Sequence, residues 1–123
     1  MHGLPIVKQI LNVCLQYAEK EEAESIKSIR LCIGEANDLI LEYVDKYFKY
    51  VSRGTIASEA KLELEMLPII CECNTCKEHI IYHLKGAERT TNCPFCGGEE
   101  FTMLNGGELF VDKIEIEKKE NGI

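Results

Sequence analysis

Two C-x-x-C pairs, Cys73-Asn74-Thr75-Cys76 and Cys93-Pro94-Phe95-Cys96, stand sixteen residues apart, and no other feature restricts the fold so strongly. A C-x-x-C turn brings two thiolates to one side of a tight loop. Two such loops facing each other supply four sulfurs in a tetrahedron, the arrangement Zn²⁺ takes in a closed structural site. Pro94 presets φ in the second loop, and Gly97 and Gly98 are expected to take the positive φ that turns backbone N–H groups toward sulfur. A redox dithiol of the thioredoxin kind is a single pair at a strand-to-helix junction, not two matched pairs. Zinc held by Cys73, Cys76, Cys93 and Cys96 is therefore the expectation.

Charge removes one class of function. The chain carries a formal net charge of −7. Between Cys71 and Glu100 the bases are Lys77, Lys85 and Arg89, against Glu72, Glu78, Glu88, Glu99 and Glu100. Four thiolates on one divalent ion add two more negative charges. Phosphate contacts need clustered Lys and Arg, so no nucleic-acid partner is expected. No secretory signal and no apolar run of spanning length is read, so neither a membrane partner nor export is expected. Beyond the two pairs remain Cys14, Cys32 and Cys71, an odd set that argues against a disulfide framework and for a reducing cytoplasm.

The rest of the chain reads as an α+β domain. Residues 4–22 form a helix, with Leu4, Val7, Ile10, Leu11, Cys14, Leu15 and Ala18 on one apolar face and Pro5 in its first turn. Residues 26–33 alternate as a strand that Gly34 ends, with Cys32 on the less apolar, partly exposed side. Asn37 or Asp38 is expected to cap a second helix running to residue 51, with Gly54 closing it. That helix presents Leu39, Ile40, Tyr43, Val44, Tyr47, Phe48 and Val51 on one broad face, its aromatics read as core. In residues 61–67, Leu62, Leu64 and Met66 point one way and Glu63 and Glu65 the other, so the helices belong on one face of the sheet. The last strand, 108–118, slips in its alternation near Asp112–Lys113, as a bulge would cause. The tail from 117 is expected to fray. Short extended pieces are expected at 79–84 and 101–104, with turns at 86–88 and 105–107. The predicted fold is a sheet of about three strands with two helices on one face, plus an inserted zinc-ribbon-like module. One domain takes 1–68 together with 107–123; the other takes 69–106.

A second constellation is Met1-His2. The α-amine, the backbone nitrogen of His2 and its imidazole close two adjacent chelate rings on one ion, and the Gly3 amide completes a set of four nitrogens. Deprotonated amide and imidazole nitrogens suit tetragonal Ni(II) or Cu(II). His2 is bulky enough to leave Met1 in place. Gly3 sets no side chain against the metal, and Pro5 begins a rigid helix just beyond.

The ordered set of features resembles the HypA/HybF family of hydrogenase-maturation nickel chaperones. The matching pieces are Met1-His2 before a helix, Arg30-Leu31-Cys32-Ile33-Gly34-Glu35 at a strand end, and Gly54-Thr55 before Ala60-Lys61-Leu62-Glu63-Leu64. The two cysteine pairs follow, and Gly107-Glu108-Leu109 with Ile114-Glu115-Ile116-Glu117 closes the match. The resemblance implies nickel carried through His2 in one domain and structural zinc in the other. It also implies work with the GTPase HypB and delivery of Ni²⁺ to the [NiFe]-hydrogenase large subunit, with urease maturation proteins as a further client in some members. A homodimer is a further expected assembly. Where the family usually reads Met-His-Glu, this chain has Gly3, so no carboxylate is available at that position.

The alternative is a zinc-ribbon protein-interaction module without nickel delivery, with His2 a bystander. Catalysis is not expected: no nucleophile elbow, paired-carboxylate motif or phosphate loop is present, and a site closed by four thiolates has no open position. His79 and His83 read as polar neighbours of the zinc loops rather than ligands. Cys71, two residues ahead of Cys73, reads as a spectator because Cys73-x-x-Cys76 is the better-shaped loop.

Overall fold

A computed structural model describes residues 3–118. The chain divides into two compact units. The first holds Met1–Leu31, Leu39–Glu65 and Phe110–Ile123, the second Cys32–Asp38 and Met66–Leu109.

Helix α1 spans Gly3–Lys20 and buries Val7, Leu11, Cys14 and Ala18, one residue per turn along a single stripe. Lys20 sits in the last turn, where a cation meets the negative end of the helix dipole. Glu22 then turns the chain with φ +55, and strand β1 begins at Ala23, three residues before the sequence pattern suggested. The alternation of Ile29, Leu31 and Ile33 was the visible part of a strand that continues to Gly34.

β1 is the central strand of its sheet. Helix α2 is Leu41–Val51, β2 is Lys61–Leu67 and β6 is Leu109–Lys118; the sheet order is β2-β1-β6. Leu31, Cys32, Ile33 and Gly34 are buried in succession, so both faces of the strand are covered at this end. Cys32 is accordingly buried, not partly exposed. Across the sheet, Arg30 of β1 pairs with the carboxylate of Glu65 on β2, and its Nε lies 3.4 Å from Asp112 on β6. The partners are all substantially exposed, so this tie contributes about 1 kcal/mol at most.

Helix α2 starts later than its expected cap. Ile40 occupies the N-cap position and makes no side-chain capping bond. The Asn37 side chain instead donates to the carbonyl of Gly107, 3.2 Å away. The broad apolar face also narrows in three dimensions. Val44 and Phe48 are buried, whereas Ile40 and Tyr43 are exposed, as is Tyr50 outside that face. The Lys46 ammonium lies 5.9 Å from the Tyr43 ring and the Arg53 guanidinium 4.7 Å from that of Tyr50, so these aromatics face cations rather than core. Ser52 is the C-cap, its N–H donating to Phe48 O, and Gly54 follows with φ +77.

On β2, Leu62 and Leu64 are half-covered, but Met66 is exposed while Glu65 is drawn in toward Arg30. On β6 the exposure pattern does slip at Asp112–Lys113, two consecutive outward residues. Lys118 ends the described part of β6, and residues 119–123 of the tail lie outside the described residues.

The second unit holds a sheet ordered β4-β3-β5, where β3 is Ile69–Cys73, β4 is His79–Tyr82 and β5 is Phe101–Asn105. The central strand β3 was not anticipated. Its last residue, Cys73, was claimed by the ligand pattern, yet Ile69, Cys71 and Cys73 alternate inward. Ile69, Cys71 and Ile80 form a small core, with Ala36, Tyr82 and Phe101 packed on it. The Tyr82 and Phe101 rings meet edge to face at 5.5 Å.

Gly34 ends β1 as expected and is also a point of close approach. A Cβ there would overlap the carbonyl oxygen of Gly106 and come within 2.8 Å of the Glu108 nitrogen. The contact carries its own hydrogen bonds: Gly34 N–H to Glu108 O at 2.7 Å and Ala36 N–H to Gly106 O at 2.8 Å. Glu35 N–H adds a bond to Leu67 O at 2.8 Å.

Candidate metal centre

The two cysteine loops are built on one local plan. In the first, Lys77 N–H donates to Cys73 O at 2.9 Å and Cys73 N–H to Glu78 O at 2.9 Å. In the second, Gly97 N–H donates to Cys93 O and Cys93 N–H to Gly98 O, both at 2.8 Å. Each loop needs a left-handed residue directly after its second cysteine. Gly97 supplies it with φ +79 at no steric cost, and Lys77 supplies it with φ +67 against the usual preference of an L-residue. Sequence reasoning missed Lys77; the signal was its place, the residue after a C-x-x-C.

Gly98 has a role different from the one expected. It does not take positive φ. A Cβ at this residue would lie 3.1 Å from Thr75 Oγ1 and 3.3 Å from the sulfurs of both Cys73 and Cys96. Its N–H donates to Cys96 Sγ at 3.4 Å, as Phe95 N–H does to Cys93 Sγ. Neighbouring polar groups tie the loops down. Thr102 Oγ1 meets Asn74 Oδ1 at 2.7 Å, Asn74 N–H reaches Glu100 O at 3.0 Å, and Asn92 Nδ2 reaches Gly97 O at 3.0 Å.

These loops bring the four sulfurs of Cys73, Cys76, Cys93 and Cys96 within 4.8 Å of one another. Across the loops, Cys73 and Cys96 are 3.5 Å apart and Cys76 and Cys93 3.7 Å. A tetrahedral ion with Zn–S bonds of about 2.3 Å requires sulfurs about 3.8 Å apart. A disulfide requires about 2.05 Å. The residues present thus fit a four-sulfur metal ion and do not fit a pair of cystines.

The thiols do not ionise alike. The Cys76 backbone N–H, against the opposing effect of burial, brings Cys73 down to about 6, with the Thr75 N–H and the Cys96 and Cys76 thiols assisting. At Cys76 the Glu78 backbone N–H favours thiolate, but burial and the sulfurs of Cys96, Cys93 and Cys73 outweigh it and push the thiol up to about 12. At Cys96 the Gly98 N–H likewise favours thiolate, yet the Cys73 sulfur and burial raise it. Four neighbouring sulfurs oppose one another's ionisation, so charge on the whole set calls for a cation among them.

The other cysteines stand apart. Cys71 is buried beside Ile69 and Ile80, and burial raises its thiol. Cys14 is fully buried on α1, its thiol pushed up to about 11 by burial. Neither has the environment of a nucleophile or ligand. His79 is exposed, with Nε2 3.7 Å from a Glu72 carboxylate oxygen. His83 is held through its backbone, its N–H donating to Thr90 Oγ1 at 2.8 Å and its carbonyl accepting from Thr90 N–H at 2.9 Å. Met1 and His2 lie outside the described residues. Gly3, their neighbour, is the first residue of α1. Among the described residues no helix is long and apolar enough to cross a membrane.

An α+β chain with two helices, small sheets and a four-cysteine cluster fitted for metal defines a small zinc-ribbon-like metalloprotein class. Comparison with known proteins narrows the class. A family model described as "Hydrogenase/urease nickel incorporation, metallochaperone, hypA" matches residues 1–116, and the chain belongs to this HypA family of nickel metallochaperones. It is 32% identical over 122 residues to the hydrogenase maturation factor HypA of Methanothermobacter thermautotrophicus, covering 98% of this chain and 100% of the relative. It is 28% identical to the HypA of Pyrococcus abyssi, covering 98% and 99%. In fold it is similar to the solution structure of the Ni metallochaperone HypA from Helicobacter pylori, with a TM-score of 0.64 at 19% identity, covering 97% of this chain and 100% of that one.

Proposed function

We propose that the protein binds Ni(II) at its N-terminus and passes it on for assembly of the [NiFe]-hydrogenase large subunit, or of urease. The ligands are the Met1 amine, the backbone nitrogens of His2 and Gly3 and the His2 imidazole. The observation that carries the reading is the extent of the family match, residues 1–116, which takes in Met1-His2 together with both cysteine pairs. Local physics supports the ligand set. The first N–H groups of a helix have no partner within it, so the Gly3 nitrogen at the start of α1 is not committed to an i→i−4 bond. The positive end of the helix dipole also favours an anionic nitrogen there. A terminal site suits transfer because incoming ligands can replace outgoing ones stepwise.

Cys73, Cys76, Cys93 and Cys96 hold the resident ion in this reading, and the sulfur spacing supports zinc. Zinc supplies a cross-link between two loops too short to build a core of their own. Residues 1–68 with 107–123 are then the nickel domain and 69–106 the zinc domain. HypB as nickel-handling partner, and a homodimer, belong to the same proposal.

Equilibrium dialysis against Ni²⁺ tests it. The parent is expected to bind a single Ni²⁺ per chain, His2→Ala to lose it, and Cys73→Ser to retain it while losing zinc. Nickel binding by His2→Ala equal to the parent's would sink the proposal.

A further inference from the structure

The start of α1 is seated against an aromatic ring of α2. A Cβ built on Gly3 would lie 3.0 Å and 3.3 Å from two carbons of one edge of the Tyr47 ring, and 3.9 Å from a Leu39 methyl. The two ring distances are tighter than ordinary carbon–carbon contact, so a side chain at position 3 would press on the ring. Tyr47 is itself braced. It lies one turn beyond Tyr43, their ring centroids 6.2 Å apart and tilted 33°, and it directly precedes Phe48, which anchors α2 in the core. The contact joins one face of α2 to the residue that directly follows Met1-His2.

We infer that Tyr47 is a positioning residue for the N-terminal nickel site, seating Gly3 so that its backbone nitrogen is presented in a fixed orientation. The inference rests on the nickel reading above. By ordinary bond lengths and angles the Gly3 nitrogen lies about 2.5 Å from the Cβ position that the ring abuts. A chelate made of consecutive backbone nitrogens and one imidazole loses affinity for every torsion it must freeze on binding. A backbone already held against a rigid ring avoids part of that cost. Gly3 and Tyr47 act as a pair, since the ring can rest on the backbone only where no side chain intervenes.

The test is titration with Ni²⁺ alone, read by affinity and by circular dichroism of the visible nickel bands, which report the handedness of the ligand frame and not overall stability. Loss of groups that orient metal ligands typically costs 10–100-fold in affinity. Tyr47→Ala is expected to weaken nickel binding by about tenfold or more and to reduce the visible dichroism. Tyr47→Phe keeps the ring that abuts Gly3 and is expected to lose less affinity and dichroism than Tyr47→Ala. Gly3→Ala adds only a methyl group and is expected to reproduce the loss, which keeps the inference testable if Tyr47→Ala is poorly folded. Parent-like affinity and dichroism in both Tyr47→Ala and Gly3→Ala would overturn it. Nickel retained in His2→Ala would instead remove the nickel reading itself, a separate outcome.

Discussion

The matched loops allow a prediction in which two substitutions at equivalent places have opposite signs. Lys77 and Gly97 each follow the second cysteine of a pair, at φ +67 and +79, and each N–H closes its loop onto the first cysteine's carbonyl. Left-handed backbone costs an L-residue about 1–2 kcal/mol. Gly97→Ala introduces that cost with no compensating contact, since nothing lies within 4 Å of the Cβ position. Loop folding and metal binding are one equilibrium here, so the loss appears as weaker zinc binding, about 5–30-fold. Lys77→Gly removes the same strain but adds about 0.5–1 kcal/mol of unfolded-state entropy, leaving a net gain between about 0 and 1.5 kcal/mol. The assay is competition for zinc against a chromophoric chelator, with the helical circular dichroism followed in parallel. Gly97→Ala should release zinc at lower chelator concentration than the parent, and Lys77→Gly at equal or higher concentration. Zinc binding unchanged in Gly97→Ala, or weakened in Lys77→Gly as much as in Gly97→Ala, would refute the strain argument.

Gly34→Ala should be among the most damaging single-methyl changes in the chain, costing about 3 kcal/mol or more, because its neighbours are the Gly106 carbonyl and Glu108 nitrogen and backbone cannot turn aside; a urea midpoint near the parent's would contradict the close approach. Stability should also fall at high pH through Cys14. Burial raises its folded thiol from 9.0 to about 11, so its contribution is complete below about pH 9 and is lost as pH rises through about 11. Urea midpoints measured across that window should drop for the parent and drop less for Cys14→Ala, with Cys71, raised by the same cause, contributing to what remains.

Much of the first unit was legible from periodicity. The stripe of Val7, Leu11, Cys14 and Ala18 and the slip at Asp112–Lys113 are statements about neighbouring residues, and the folded chain preserves them. The errors have a common origin. Cys32 was assigned by the polarity of its alternating partners, but Leu31 to Gly34 are buried in succession at this end of β1, so alternation does not separate its faces there. Asn37 had the chemistry of an N-cap and found a distant carbonyl, that of Gly107. β3 was hidden because five residues with two cysteines carry too little pattern to separate a strand from a ligand loop. For the site, the four sulfur ligands were readable from spacing alone, whereas the left-handed Lys77 and the packing role of Gly98 were not.

By itself, the sequence determined the features encoded between near neighbours. These are two C-x-x-C loops able to hold one ion, two amphipathic helices and the strand alternations. A bond, a turn or a helical stripe is specified within a few residues, so its pattern survives in the linear chain. Only the tertiary structure decided the spacing of the four sulfurs, why Gly34 must lack a side chain, and that the Tyr47 ring rests on Gly3. Those contacts join residues far apart in the chain, and their distances are set by how whole elements pack rather than by any local preference.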